Sequence, residues 1–292
     1  MKVGLGAVQF GMDYGISNMH GRTAKDELSK ILQFAFKNKV DLIDTASSYG
    51  SSENVLGEVI TDDNWRFVTK TPHFSDDCIR GAHVKQLKEL FNQSLSNLGQ
   101  KTMYGLLLHS CNDLLKPGGA ALFQEMQRLK SIGAVKKIGV SVYNGEQIEA
   151  ILDKFDIDLI QLPISILDQR LFVGGWLEKL KNNNIEIHAR SVFLQGLLLM
   201  PLKSIPSYFL PVKEKIEMFS KFAEEMSLSK LELALGYVSS IHEIDQVLVG
   251  VNTVSQLKEV VQAAQVKIDP MDFIENSIND PAYVNPSLWK IK

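Results

Sequence analysis

The chain has 292 residues, 45% hydrophobic and 22% charged, an ordinary globular composition with enough length for one large core or two smaller ones. Its formal net charge of −3 leaves no cation excess for a phosphate backbone or an anionic lipid surface, so we expect no nucleic-acid or membrane partner. Two cysteines, without a CxxC or a Cys/His cluster, predict neither a disulfide framework nor a metal site. The absence of an apolar signal segment, and of any run of about 18 apolar residues, predicts a cytoplasmic protein.

Short apolar segments alternate with longer amphipathic segments along the whole chain, which predicts repeated βα units. The first strand is predicted at 3–8, followed by a helix that opens after Thr23 as its N-cap. A strand at 41–44 precedes a helix after Ser51, and a strand at 66–70 precedes a helix that ends at Gly99. The fourth strand is predicted at 103–109, and its helix ends at Gly133.

The second half of the chain repeats this alternation. Strands are predicted at 137–142, 159–162, 185–190 and 246–250. Helices are predicted in GEQIEAILDKF, FVGGWLEKLKNN and VSQLKEVVQAA. A longer helical zone between the last two strands divides near Ser227 or Ser229.

Eight strands, each followed by a helix, without a Pro/Gly/Ser-rich linker, predict a single-domain (β/α)8 TIM barrel over residues 1–292. An open doubly wound sheet is the alternative. A sheet of that kind that binds a dinucleotide should carry GxGxxG near its start, whereas this chain has GLGAVQFG, with different spacing. The pattern therefore favours the barrel.

Titratable residues follow three neighbouring strands at their C-terminal ends, where barrels of this type place their chemistry. Asp44 ends the second strand, Tyr49 lies in the next loop, and Lys70 and His109 end the third and fourth strands. Each residue alone has an ordinary interpretation, as a turn, a solvated loop or a side chain bonded to backbone. However, Lys70 and His109 follow apolar runs, where a charge needs a partner, and Asp44 is available to Lys70.

This set of side chains suits proton transfer to a carbonyl oxygen. A nearby ammonium lowers the pKa of a phenol, so Lys70 would make Tyr49 a usable acid while Asp44 keeps Lys70 charged. His109 would orient the substrate oxygen through a hydrogen bond. No side chain supplies a hydride, so a nicotinamide cofactor must.

Several motifs carry a family resemblance over nearly the whole chain. The most specific is DTASSYGSSENVLG, followed by LLLHS and GVS, and VTKTP, DLIQLPISILD and LVGVNTVSQLKEVV also match. On these motifs the chain resembles the aldo-keto reductase family. The resemblance implies a (β/α)8 barrel that reduces aldehydes and ketones with NADPH, and it assigns the catalytic roles to Asp44, Tyr49, Lys70 and His109. The expected partner is a small-molecule carbonyl substrate, and the sequence favours no particular oligomeric state.

The resemblance also implies a cofactor site. Ser141 and Gln161 lie where the family holds the nicotinamide carboxamide, although Val142 replaces the usual Asn. Arg190 stands where a Tyr commonly stacks on the nicotinamide ring, and its guanidinium plane could stack instead. The cofactor residues expected in this part of the chain are Ser141, Gln161, Arg190, Ser191 and Phe193.

The closing segment is expected to hold the adenosine end of the cofactor. Gly250 and Gln256 align with positions that often supply Lys and Arg to a 2′-phosphate, and Val260 aligns with an Asn near the adenine. Asn252 precedes the helix VSQLKEVV, whose N-terminus could receive an anionic group through free N–H donors. We expect NADP(H), with NAD(H) as the alternative.

Three other segments could border the pocket. Tyr14 and His20 lie in the Gly-rich loop after the first strand, and Trp289 lies in the C-terminal tail. The long apolar loop 194–212 is expected to cover cofactor or substrate, or else to pack against a partner subunit.

Three functions remain for comparison. The first is an NADPH-dependent carbonyl reductase, and the second is a regulatory module of the same fold that holds NADP(H) with little turnover. The third is a lyase or aldolase in which Lys70 forms a Schiff base. The four intact residues favour the reductase, and Asp44 argues against the Schiff base because it would keep the amine protonated.

Overall fold

The computed structural model describes residues 2–18, 21–60, 62 and 64–291. In this part of the chain, parallel strands pair in sequence order, and the first strand also pairs with the last, so the sheet closes into a barrel. The strands are β1 Val3–Gly6, β2 Leu42–Asp44, β3 Arg66–Lys70, β4 Met103–Leu108, β5 Val135–Ser141, β6 Leu159–Pro163, β7 Glu186–Arg190 and β8 Gln246–Gly250. The predicted (β/α)8 fold is therefore confirmed.

The strand bounds differ from the predicted ones mainly at the first strand. Val8, predicted as the last residue of the first strand, instead begins the short helix α1 (Val8–Gly11). The chain leaves the sheet there after the Ala7 N–H donates to the Asp44 carbonyl at 2.9 Å. His109, predicted as the end of the fourth strand, lies one residue beyond β4, where its N–H donates to Thr71 Oγ1 at 3.3 Å.

Helices cover the outside of the barrel. The helix α2 (Lys25–Lys37) buries Leu28, Ile31, Leu32 and Ala35, which share one face at helical spacing. It begins with Ala24 at the N-cap, so the predicted cap at Thr23 is one residue early. The α-helices that follow are α3 Ser52–Val59, α4 Gly81–Asn97, α5 Asn112–Leu115, α6 Ala120–Ser131, α7 Gly145–Leu152, α8 Arg170–Val173, α9 Trp176–Asn182, α10 Lys213–Glu225, α11 Lys230–Ser240, α12 Val254–Ala263 and α13 Pro281–Val284.

The predicted division of the long helical zone is confirmed. Ser229 is the N-cap of α11, and its Oγ accepts a hydrogen bond from the Glu232 N–H at 3.2 Å. Short 3₁₀ segments occupy much of the remaining connections, at Leu194–Leu199, Leu202–Ser204, Ser207–Val212, Pro270–Asn276 and Pro286–Leu288.

An apolar layer fills the interior of the barrel beneath the C-terminal strand ends. Its side chains come from five strands and form one buried cluster of Leu42, Val68, Leu107, Leu159 and Leu248. Gly139 lets β5 and β6 approach closely, because a Cβ there would lie 1.6 Å from the Leu159 carbonyl oxygen. Side chains alternate across a strand, so Asp44 and Lys70 point the same way as Leu42 and Val68 and lie directly above this layer.

A polar cluster occupies the opposite, N-terminal end of the barrel. Glu186 accepts hydrogen bonds from Tyr104 Oη at 2.6 Å and from Lys137 Nζ, and its carboxylate lies 2.7 Å from His188 Nε2. Burial alone would raise the pKa of Glu186, but bonds from His188, Lys137 and Tyr104 lower it well below its usual range. The Glu186 carboxylate thus has three partners here, while the buried His188 Nδ1 has none in the described residues, and we assign the cluster a structural role.

Candidate active site

Asp44 and Lys70 form a buried ion pair at the C-terminal ends of β2 and β3. Lys70 Nζ lies 2.8 Å from Asp44 Oδ1 and 2.7 Å from Oδ2, and it donates a third hydrogen bond to the Thr45 carbonyl at 2.9 Å. Burial would lower the pKa of the Lys70 ammonium, but the Asp44 carboxylate outweighs it, and the pKa is raised. Lys70 is therefore a permanent cation inside the protein.

The loop between β2 and α3 brings Tyr49 back over the barrel. Ser47 Oγ donates to the Lys70 carbonyl at 3.1 Å, and the Tyr49 N–H donates to the Ala46 carbonyl at 3.0 Å. Gly11 packs so closely on this turn that a Cβ there would lie 2.0 Å from the Tyr49 carbonyl oxygen. The backbone thus fixes the phenol, whose Oη accepts a hydrogen bond from Lys70 Nζ at 3.4 Å.

His109 completes the group beside Tyr49. The two rings meet edge to face, with centroids 6.0 Å apart, and His73 stacks on the His109 ring at 4.4 Å. Burial, the Lys70 ammonium and the neighbouring His73 and Arg190 lower the pKa of His109 to about 3. The imidazole is therefore neutral near pH 7 and can donate a hydrogen bond from one ring nitrogen.

One cavity of about 800 Å³ joins these residues to the expected cofactor residues. Such a volume suits a cofactor-sized ligand. Lys70 does not line the cavity itself, because Asp44 and Tyr49 lie between it and the cavity. The predicted residues that line the cavity are Asp44, Tyr49, His109, Ser141, Gln161, Arg190, Ser191, Phe193, Gly250, Asn252 and Gln256.

The ends of β5, β6 and β7 supply the part of the cavity next to Asp44. Gln161 Nε2 donates to Asp44 Oδ1 at 2.7 Å, which leaves Gln161 Oε1 as an acceptor beside the buried Ser141. Arg190 Nη2 donates to the Val142 carbonyl at 3.1 Å, and its guanidinium carbon lies 4.4 Å from the centre of the Tyr143 ring. These amide and hydroxyl groups fit a carboxamide, and the sequence did not reveal Tyr143 as a partner of Arg190.

The far end of the cavity differs from the expectation of free N–H donors at the start of α12. The Asn252 N–H donates to Gln256 Oε1 at 2.7 Å, and the Val254 N–H donates to Glu27 Oε1 at 2.7 Å. The Gln256 N–H donates to Thr253 Oγ1 at 3.2 Å. A carboxylate and two polar side chains therefore already bond three N–H groups at the start of α12, which leaves fewer free donors there than predicted.

Gln9 fills the space beside Gly250. A Cβ on Gly250 would lie 2.3 Å from Gln9 Oε1, so the position aligned with a phosphate-binding Lys is occupied by a neutral amide. The cavity wall here also includes Glu259, Val260 and, at the start of α11, Lys230, whose Nζ donates to the Met200 carbonyl at 2.9 Å. Of Glu259, Val260 and Lys230, the sequence pointed only to Val260.

The outcomes for the loops are mixed. Tyr14 lines the cavity as expected and its Oη accepts a hydrogen bond from Gln195 Nε2 at 3.3 Å, whereas His20 lies outside the described residues. Within the loop 194–212, residues 195, 196 and 199 line the cavity, as expected for a covering segment. Trp289 does not line it: its ring packs on Phe209 with centroids 4.9 Å apart, because the tail folds against the far part of that loop.

Within the described residues, no group of three or more His, Cys, Asp or Glu side chains could hold a metal ion. The helices of that same part of the chain are too short or too polar to cross a membrane.

A closed (β/α)8 barrel with Asp44, Tyr49 and His109 lining a cavity at its C-terminal rim, and Lys70 buried behind them, has the architecture of a barrel enzyme. The family profile described as "Aldo/keto reductase family" matches residues 2–277. The chain belongs to the aldo/keto reductase family.

Individual relatives agree with this membership. The chain is 26% identical to the oxidoreductase YqkF of Bacillus subtilis, over 87% of this chain and 88% of the relative. It is 24% identical to an L-galactose dehydrogenase of Arabidopsis thaliana, over 94% of this chain and 88% of that relative.

Solved structures share the fold. The aldo-keto reductase AKR11C1 from Bacillus halodurans, in its holo form, superposes with a TM-score of 0.73 at 18% identity, over 94% of this chain and 90% of that one. The glycerol dehydrogenase AKR11B4 from Gluconobacter oxydans superposes with a TM-score of 0.72 at 20% identity, over 98% of this chain and 92% of that one.

Proposed function

We propose that this protein is a nicotinamide-dependent enzyme that reduces a small aldehyde or ketone to its alcohol, and catalyses the reverse reaction, with Tyr49 as the proton donor in reduction. The observation that carries the proposal is the position of Lys70 Nζ, in contact with both Asp44 carboxylate oxygens and 3.4 Å from Tyr49 Oη. An ammonium placed there stabilises negative charge on the phenol oxygen as it releases its proton.

The residues around Tyr49 divide the remaining tasks. Neutral His109 donates a hydrogen bond to the substrate oxygen. Because its pKa is low, the ring carries no extra proton that could compete with Tyr49 as the proton donor. Asp44 holds Lys70 in place, and Gln161 Nε2 holds the Asp44 carboxylate at 2.7 Å. Ser141 and the free Gln161 Oε1 would hold the carboxamide of a nicotinamide. A bound nicotinamide supplies the hydride.

For the nucleotide, the first turn of α12 supports NAD(H) over the NADP(H) expected from the sequence. A 2′-phosphate held at the start of α12 would be disfavoured by the Glu27 carboxylate, which accepts a hydrogen bond from the Val254 N–H at 2.7 Å. This chain has Gly250 and Gln256 where the family often has Lys and Arg, and Gln9 occupies the space beside Gly250. A cofactor with a free 2′-hydroxyl meets neither obstacle.

Two alternative functions, a regulatory module and a Schiff-base enzyme, fit the site less well. A regulatory module would bind the cofactor without turnover, but it has no chemical need for a buried Lys70 aimed at a phenol. A Schiff-base enzyme needs a neutral amine, and the raised pKa of Lys70 opposes this.

The test compares wild-type protein with Tyr49→Phe. Cofactor binding is followed by fluorescence, and turnover by the absorbance of the reduced cofactor, against aldehydes, ketones, sugars and polyols. Sugars and polyols are included because two relatives are named as an L-galactose dehydrogenase and a glycerol dehydrogenase. We expect turnover to fall by about 10²–10⁴-fold in Tyr49→Phe while cofactor binding persists. Binding without turnover across the panel would favour the regulatory module, and borohydride trapping of substrate on Lys70 would favour the Schiff base.

A further inference from the structure

Arg190 is a cation on the cavity wall that contacts neutral groups. Its guanidinium donates to two neutral oxygens, Ser191 Oγ at 3.3 Å and the Val142 carbonyl at 3.1 Å, and stacks on the Tyr143 ring. Within the described part of the chain, no carboxylate lies at ion-pair distance from it. The nearby buried Asp168 is instead paired with Arg170, at 2.7 Å and 2.9 Å. The Arg190 charge is therefore not neutralised by a direct ion pair in the described residues, and Asp168, which is bonded to Arg170, acts on it only at longer range.

The other groups at this end of the cavity do not compensate for that charge. Lys70 and Asp44 cancel each other in a direct ion pair, and His109 is neutral near pH 7. Arg190 thus leaves the reacting end of the cavity with a net positive charge. Its field reaches across the cavity, since it contributes to the lowered pKa of His109 after burial, Lys70 and His73.

A nicotinamide ring must lie within reach of the substrate held by Tyr49 and His109, and Arg190 lines that same end. The oxidised ring is a pyridinium with one positive charge, whereas the reduced ring is neutral, and the rest of the dinucleotide is identical in the two forms. A fixed cation in a partly desolvated cavity therefore disfavours only the oxidised form.

We infer that Arg190 sets the redox balance of the bound cofactor, so that the protein binds the reduced nicotinamide more tightly than the oxidised one. This inference rests on the proposed function. The equilibrium at the site then shifts from alcohol with oxidised cofactor toward carbonyl with reduced cofactor. In that direction one hydride passes from the alcohol carbon to the cofactor, and the hydroxyl proton passes to the Tyr49 phenolate, which has first released its own proton to solvent and is stabilised by Lys70. Arg190 thereby favours the dehydrogenase direction of the reaction.

The test measures Kd for NADH and NAD⁺, and for NADPH and NADP⁺, by quenching of tryptophan fluorescence. The variants are Arg190→Gln, which removes the charge, Arg190→Lys, which keeps it, and the control Arg128→Gln, which removes an exposed guanidinium on α6. In wild type we expect the oxidised form to bind about tenfold more weakly than the reduced form. A tenfold ratio corresponds to about 1.4 kcal/mol and, for this two-electron couple, to about 30 mV.

Arg190→Gln should bring the ratio of the two Kd values close to one, while Arg190→Lys and Arg128→Gln should leave it near the wild-type value. Equal affinities for both forms in wild type would overturn the inference, as would an unchanged ratio in Arg190→Gln. If Arg190→Gln does not fold, Arg190→Met removes the same charge and should give the same ratio near one. Failure of wild type to bind either nucleotide in either form would count against the proposed function instead.

Discussion

Lys70 Nζ contacts both carboxylate oxygens of Asp44, at 2.7 Å and 2.8 Å, and Lys70 has only 2% of its surface exposed. A charge buried to this extent is tolerated because three hydrogen bonds to Asp44 and to the Thr45 carbonyl replace its water. The pair therefore links the stability of the barrel to the proposed chemistry, since the ammonium that needs Asp44 also contacts Tyr49.

Removing one member of this pair should be more damaging than removing both. Asp44→Asn leaves a buried ammonium and Lys70→Met leaves a buried carboxylate, so each should lower the free energy of unfolding by about 3–5 kcal/mol. The double variant should lose less stability than either single variant, because it leaves no unpaired buried charge. Urea denaturation of the four proteins measures this, and losses that add to within about 0.5 kcal/mol would show that the two charges do not depend on each other.

Stability should depend on pH through His109. Its pKa is about 3 in the folded protein and about 6.5 in the unfolded chain, so the unfolded chain binds more protons between these values. The free energy of unfolding should therefore fall as the pH is lowered from about 6.5 toward about 3. Urea denaturation at several pH values, compared between wild type and His109→Gln, isolates this contribution.

The matched control for that experiment is His242→Gln, which changes an exposed histidine. It should leave the slope of stability against pH unchanged, whereas His109→Gln should flatten it. A His109 ring that titrates near pH 6.5 in an NMR experiment on the folded protein would contradict the prediction.

Glu27 should contribute to the proposed preference for NAD(H) over NADP(H). Glu27→Gln keeps an oxygen to accept from the Val254 N–H but removes the negative charge, so affinity for NADP⁺ relative to NAD⁺ should rise about two- to fivefold. Fluorescence titration with both nucleotides measures the ratio. Glu58→Gln, which removes an exposed carboxylate of α3 paired with Lys25, is the control. A ratio that changes equally in both variants would argue for a general charge effect.

Gly139 should be irreplaceable in the barrel wall. Gly139→Ala would place a Cβ 1.6 Å from the Leu159 carbonyl oxygen, so β5 and β6 would have to separate. We expect a loss of about 1–3 kcal/mol or more in the free energy of unfolding. Gly81→Ala, at a helix start with no atom within 4 Å of the new Cβ, should have a neutral or slightly stabilising effect. Thermal denaturation of both variants checks the contrast.

Local patterns were sufficient to predict the barrel and the residues at its rim. Alternating apolar segments specify strands and helices, and a (β/α)8 barrel brings every C-terminal strand end to the same rim. Asp44, Lys70 and His109 could therefore be grouped before any coordinates, because each stands at or next to a strand end in an otherwise apolar run. Small errors arose where one hydrogen bond decides a boundary, as at Ala7 and Val8.

The tertiary structure alone decided which groups meet across the cavity. Glu27 bonds the Val254 N–H although 227 residues separate them, Gln9 fills the space beside Gly250, and Arg190 stacks on Tyr143. No sequence period connects such residues, because their contacts depend on how loops and helix ends from different βα units pack together. The sequence by itself therefore determined the fold and the four polar side chains at its rim. The packing of distant segments determined the charge around the proposed cofactor site.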